Sequence, residues 1–170
     1  MDKKLVKAIN EQITKEMYSS YLYLSMAAYF ESIGLEGFSY WMKLQAQEEI
    51  IHGMKFFDYL NERGEKVILG AIDKPPVNFK SVVDVFKKTL EHEQLVTASI
   101  NNLYSIANKV NDNASTIFLQ WFINEQVEEE KNAMDILGKL KYVKAETAGM
   151  LMLDKELAAR PQPILDPKAQ

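Results

Sequence analysis

The 170-residue chain contains no cysteine, only five prolines, seven glycines and two histidines. Without thiols there is no disulfide, no thiolate zinc or iron–sulfur site and no thiol nucleophile. There is no basic excess: 20 lysines and arginines face 24 acids, for a formal charge of −4. A nucleic-acid partner is therefore not expected. Long apolar runs are missing too. The most apolar stretch, residues 17–30, is interrupted by Ser19, Ser20 and Ser25 and is too short to cross a bilayer, so no membrane partner is expected. The opening Met1-Asp2-Lys3-Lys4-Leu5-Val6-Lys7 is followed by Asn10, Glu11 and Gln12 instead of an apolar segment. It does not read as a signal peptide, and a cytoplasmic location is expected. What is present, 47% hydrophobic and 26% charged residues, is the composition of an ordinary globular domain.

The scarce breakers sit at informative places. Gly34 and Gly37 bracket one break, Gly64, Gly70 and Pro75-Pro76 a second, and Asn111-Asp112-Asn113 a third. Between them apolar residues recur at helical spacing, and no segment alternates with period two. The expectation is an all-α fold with helices at about 3–32, 38–63, 81–109, 113–142 and a short fifth at 146–159. A single domain would span 1–160, with a Pro-rich tail at 161–170. Short turns make the first and second helices, and the third and fourth, antiparallel hairpins. A link of about 17 residues between the second and third can run the length of a bundle and leave those two parallel.

An internal repeat puts acids on the apolar stripes. The first helix stripe is Leu5, Ile9, Ile13, Tyr23, Ala27 and Phe30, with Glu16 in its middle. The second is Phe38, Met42, Phe56 and Leu60, with Glu49 central and His52 one turn on. The third is Val82, Phe86, Leu90, Ile100 and Tyr104 around Glu93. The fourth is Leu119, Phe122, Ile123, Ala133 and Leu137 around Gln126, with Glu129 one turn on. Glu16 and Glu49 are 33 residues apart, as are Glu93 and Gln126, and a shift of 77 maps the first pair onto the second. The same shift maps Glu48 onto Glu125 and His52 onto Glu129. Taken singly, each acid would read as a solvated or snorkelling residue. Four matched mid-helix positions are a different matter. Buried carboxylates cost several kcal/mol each and repel one another, and no lysine or arginine lies on these stripes near that depth. Bound cations are the simplest compensation. Carboxylates with one imidazole and no sulfur suit iron or manganese. The Glu49-x-x-His52 spacing is that of di-iron carboxylate bundle cores.

With Glu16-Met17-Tyr18-Ser19-Ser20-Tyr21-Leu22-Tyr23-Leu24, Gln47-Glu48-Glu49-Ile50-Ile51-His52, Leu90-Glu91-His92-Glu93 and the run from Leu119 to Glu130, the sequence resembles the bacterial and archaeal non-haem ferritins over nearly its whole length. The resemblance implies a ferritin-like four-helix bundle with one long crossover and a short fifth helix. It also implies a ferroxidase centre. Glu16, Glu49 and His52 would hold one iron; Glu49 and Glu93, with Gln126 nearby, would hold the second. A third, inner site would carry over to Glu48, Glu125, Glu128 and Glu129. Tyr23 matches the family tyrosine beside the centre, as an electron source or simply a core aromatic with a bonded hydroxyl. Trp121 lies off the Gln126 stripe and reads better as packing or interface, and His92 as a surface or interface residue. The implied chemistry is oxidation of Fe(II) by O2 or H2O2 and storage as ferric mineral inside a homo-oligomeric shell of 24 subunits, with the fifth helix at a four-fold axis. Haem is not expected: the residue after Glu49 is Ile50, and the second half has Glu129 where a second histidine would stand. The alternative is a non-storage di-iron oxidase or peroxidase of the same superfamily. Without the seven acids of the proposed sites, 17 acids would face 20 bases, so the net acidity resides in those sites.

Overall fold

The computed structural model of the protein describes residues 1–145 and 147–163. Among them are five helices and no strand: α1 (Lys3–Ser32), α2 (Glu36–Glu62), α3 (Val82–Lys109), α4 (Asn113–Leu140) and α5 (Ala148–Leu157). Relative to the sequence reading, α2 begins two residues earlier, at Glu36. The fifth helix is ten residues long. Glu146 and residues 164–170, part of the expected fifth helix and tail, lie outside the described residues.

The helix starts are set by short polar side chains that accept from otherwise unpaired amides. Asp2 caps α1 through Lys4 N at 2.8 Å, Ser81 caps α3 through Asp84 N at 3.1 Å, and Asp112 caps α4 through Ser115 N at 3.0 Å. The ends of α1, α2 and α3 share one device. Gly34, Gly64 and Asn111 adopt positive φ (74°, 71° and 56°), and the following amide returns to a carbonyl five residues back. Asn111 serves where no glycine is available because its short amide tolerates the left-handed region.

Two apolar clusters occupy opposite ends of the bundle. One joins the C-terminal half of α1, the N-terminal half of α2, the start of α3, the end of α4 and α5. The other joins the start of α1, the end of α2, the C-terminal half of α3 and the start of α4. This arrangement makes α1–α2 and α3–α4 antiparallel hairpins and places α2 and α3 parallel. The crossover between them climbs alongside α1: Ile68 N bonds Asn10 Oδ1 at 2.6 Å, Gly70 N bonds Thr14 Oγ1 at 3.1 Å, and Pro76 O accepts from Ser25 Oγ at 2.6 Å. A Cβ on Gly70 would stand 2.9 Å from that Thr14 oxygen, so any larger residue would have to push the Thr14 side chain aside.

Four stripe positions depart from the sequence reading. Leu90, Tyr104, Ile123 and Leu137 are only half-buried. Val85, Thr89, Val96 and Leu103 are buried on α3 instead, and Ile136 and Leu140 on α4. The third and fourth helices are turned slightly toward these neighbours, a rotation that the contacts between helices set. α5 docks on its own bundle, burying Met150, Leu153 and Leu157 while leaving Leu151 and Met152 exposed.

Candidate metal centre

Between the two apolar clusters lies a polar layer fed by all four long helices. α1 contributes Glu16, α2 Glu49 and His52, α3 Glu93, and α4 Gln126 and Glu129; every one of these side chains is buried. Each arrives there by helical periodicity: the stripe that buries Ile13 and Phe56 also carries Glu16 and Glu49 inward. Ligand atoms of Glu16, Glu49 and His52 lie within 4.8 Å of one another, and so do those of His52, Glu125 and Glu129. His52 thus belongs to both groups.

The hydrogen bonding is conspicuously incomplete. Glu16 Oε1 accepts from Gln12 Nε2 at 2.8 Å, and Gln12 is held in turn by Ser99 at 2.5 Å. Glu93 accepts from the Tyr23 hydroxyl and, at 3.5 Å, from Gln126 Nε2. Glu129 Oε2 accepts from Gln45 Nε2 at 2.5 Å. Among the described residues no donor reaches Glu16 Oε2 or either oxygen of Glu49, all of them buried. Native interiors rarely leave such atoms unpaired. The donor set, carboxylate oxygens converging with an imidazole, fits a hard or borderline cation.

Electrostatics agree. Burial raises the Glu16 and Glu93 carboxyls to about 7, opposed at Glu16 by Gln12 and at Glu93 by Tyr23. Burial, reinforced by the neighbouring Glu93, pushes Glu49 and Glu129 well above the ordinary carboxylate range. A cation would reverse this penalty. Burial, with Lys55 nearby, lowers His52 to about 4, so its imidazole is neutral near pH 7 and has a lone pair to offer. Its ring packs edge-on against Trp121 and Phe122, with centroids at 5.4 and 6.1 Å. Trp121 is therefore a wall of the site as well as a packing residue, and Lys55 sits 4.0 Å above its ring.

The remaining candidates spread outward. Tyr23 is buried against Glu93 through its hydroxyl. Glu125 is half-buried and lies near Glu48 and Glu128, whose charges raise its carboxyl further after burial itself. Glu128 is exposed. Glu48 is half-buried and paired with Arg160 at 2.5 Å, outside both tight groups. His92 is half-buried, not fully at the surface: its Nε2 lies 2.7 Å from Ser19 Oγ and its ring touches Tyr18 and Tyr23, because the α1–α3 contact covers that side of α3. Sequence reasoning missed Gln12 and Gln45. Each stands four residues before a central glutamate and so on the same helix face, a signal that was there to read. Arg160 carried no such signal, since it lies beyond α5.

A profile of the ferritin-like domain matches residues 6–143 of the chain. A bacterial non-heme ferritin of Bacteroides fragilis is 42% identical over 160 residues, covering 94% of this chain and 99% of that protein. A probable bacterial non-heme ferritin-like protein of Haemophilus influenzae is 39% identical over 157 residues, covering 92% and 95%. Among solved structures, an open pore ferritin from the hyperthermophilic archaeon Archaeoglobus fulgidus superposes with a TM-score of 0.93 at 48% identity, covering 95% of this chain and 99% of that one.

Proposed function

Because the chain belongs to the ferritin family, we propose that it stores iron, oxidising Fe(II) at an intrasubunit two-iron centre and laying down ferric mineral in a homo-oligomeric shell. The observation that carries this reading is the set of buried, unpartnered oxygens of Glu16 and Glu49 beside the neutral imidazole of His52. Iron is the substrate here. Glu16, Glu49 and His52 take one Fe(II), and Glu49 and Glu93 take the second, with Gln126 beside it. Glu125 and Glu129, with Glu48 and Glu128 at the rim, form an inner third site.

The residues account for turnover as well as binding. Hard carboxylate oxygens prefer Fe(III) to Fe(II), so the protein makes oxidation by O2 or H2O2 downhill. Gln126 is a neutral amide where the first half of the repeat has the anion Glu49, so the second iron is held more weakly and leaves more readily. Tyr23 donates to Glu93 and fixes the orientation of that ligand. Its hydroxyl is also the nearest oxidisable group bonded to the set, which makes it the candidate electron donor. The assembled shell is supported by apolar residues that a lone subunit leaves exposed, among them Leu151 and Met152 on α5 and Ile68 and Leu69 on the crossover.

Aerobic Fe(II) loading followed by sizing and electron microscopy tests the reading. The native protein should give dispersed particles with dense cores. Glu49→Ala and His52→Ala should each slow Fe(II) oxidation by at least about 100-fold, the upper range for losing even an outer-shell partner. Unchanged rates in both variants, or bulk precipitate beside a small unloaded protein, would overturn it.

A further inference from the structure

The chain beyond α5 turns back and delivers a cation to the inner carboxylates. Arg160 N bonds Leu157 O at 3.2 Å, which closes the turn. Its guanidinium then spreads over α2. Nη2 donates to Glu48 Oε2 at 2.5 Å, and Nη1 donates to Gln45 Oε1 at 2.9 Å and to Trp41 O at 3.3 Å. The plane also lies 4.5 Å from the Trp41 ring centroid. Gln45 uses its other end to bond Glu129. One fixed positive charge is therefore paired directly with Glu48 and linked through a single amide to Glu129. Its field lowers both carboxyls against the burial that raises them. With side-chain exposures of 16% for Arg160 and 22% for Glu48, the pair is shielded enough for the charge to matter.

We propose that Arg160 is a built-in counter-ion of the inner carboxylate site, which competes with iron for Glu48, bears on Glu129 through Gln45, and keeps that site weak. This inference rests on the inner site proposed above. The pair occupies Glu48 Oε2 when no ion is bound, so an ion that takes this oxygen must displace the guanidinium from it. That cost falls on the inner site and spares the Glu16–Glu49–His52 group, whose unpartnered oxygens face no such rival. Weak retention at the inner site favours passing ions onward over holding them. Arg160 acts through Glu48 and Gln45, as a positioning residue, and takes no part in electron transfer.

Zinc, which is redox-inert, provides the test by titration calorimetry on the assembled protein. Arg160→Gln should tighten the third zinc step about tenfold, the effect of removing one charge beside a divalent ion even with nearly water-like screening. The first two steps should stay within about twofold, since the Arg160 bonds run to Glu48, Gln45 and Trp41 and not to Glu16, Glu49, His52 or Glu93. Arg160→Lys, which keeps the charge, should restore native behaviour. An unchanged or weakened third step in Arg160→Gln, or equal tightening of all steps, overturns the proposal. If neither protein takes a third zinc, the inner site and this inference fall together, while intact first and second steps leave the two-iron reading standing. A zinc-soaked structure of the unaltered protein gives a check independent of variant folding. Arg160 should leave Glu48 when the third ion binds, and an ion bound with that pair intact would refute competition.

Discussion

Among the described residues no donor reaches either oxygen of Glu49, and three other glutamates share its buried layer. In the metal-free protein this arrangement costs stability in a pH-dependent way. A carboxyl raised by folding contributes its stability below its unfolded value of about 4.5, and that stability is lost as pH rises through the folded value. For Glu16 and Glu93 the loss is complete just above about 7; for Glu49 and Glu129, raised further, it continues beyond. His52 and His92, lowered to about 4, act in the opposite sense, but only where the unfolded imidazole protonates, below about pH 7. Between pH 7 and 8.5 the slope is set by the buried carboxylates and no longer by the histidines. The melting temperature of the metal-free protein should therefore fall over that range in calorimetry. Glu49→Gln should flatten the fall and raise the melting temperature at pH 8.5, while removing iron oxidation. Saturating zinc should abolish the slope in the unaltered protein. A metal-free melting temperature that rises over this range would contradict the electrostatic account.

At the scale of elements, α5 is tied to the start of α2 by unusually close contact. Phe38 N, one of the unpaired amides of the first turn of α2, bonds Asp154 Oδ1 at 3.0 Å. Gly37 lies so near that a Cβ there would stand 1.8 Å from Asp154 O, a backbone atom that cannot swing aside. Gly37→Ala should force α5 off its seat and destabilise the protein by about 1–3 kcal/mol, the usual cost of overpacking. Limited proteolysis checks this: the segment from Lys144 to Arg160 should become the first site of cleavage. Resistance equal to that of the unaltered chain would show that α5 is held by other contacts. Gly37 stood out in the sequence only as a helix-start breaker; its role as a landing place for α5 depends on a residue 117 positions away.

For the whole molecule, the exposed side of α5 is where the proposed shell can be tested. Leu151 and Met152 are 64% and 73% exposed beside a buried face of Met150, Leu153 and Leu157. A ten-residue helix with apolar residues on both sides suits a second surface. Under the shell reading, Leu151→Glu with Met152→Glu should shift the mass in light scattering from a large particle toward small species. The far-ultraviolet dichroism should hardly change, because the bundle does not need those side chains. Iron oxidation should persist in the small species while soluble mineral does not accumulate, since the proposed centre lies within one chain and the proposed cavity does not. A double variant that remains fully assembled would place the contact elsewhere.

The bundle and the heart of the candidate site were legible because both obey helical periodicity. Residues at matched depth on four amphipathic helices must meet in the core, so the 77-residue repeat was enough to bring Glu16, Glu49, His52, Glu93, Gln126 and Glu129 together as candidates. The link between α2 and α3 was long enough to imply parallel helices whatever its conformation. Other features depended on contacts between elements, which no local pattern encodes. The rotation of α3 and α4 buried Val85 and Ile136 in preference to Leu90 and Leu137. The packing of α1 on α3 half-buried His92. The docking of α5 carried Arg160 across more than a hundred residues of sequence to Glu48. Periodicity within a helix is a property of the chain and can be read from it; which neighbour a side chain meets is settled only when the helices pack.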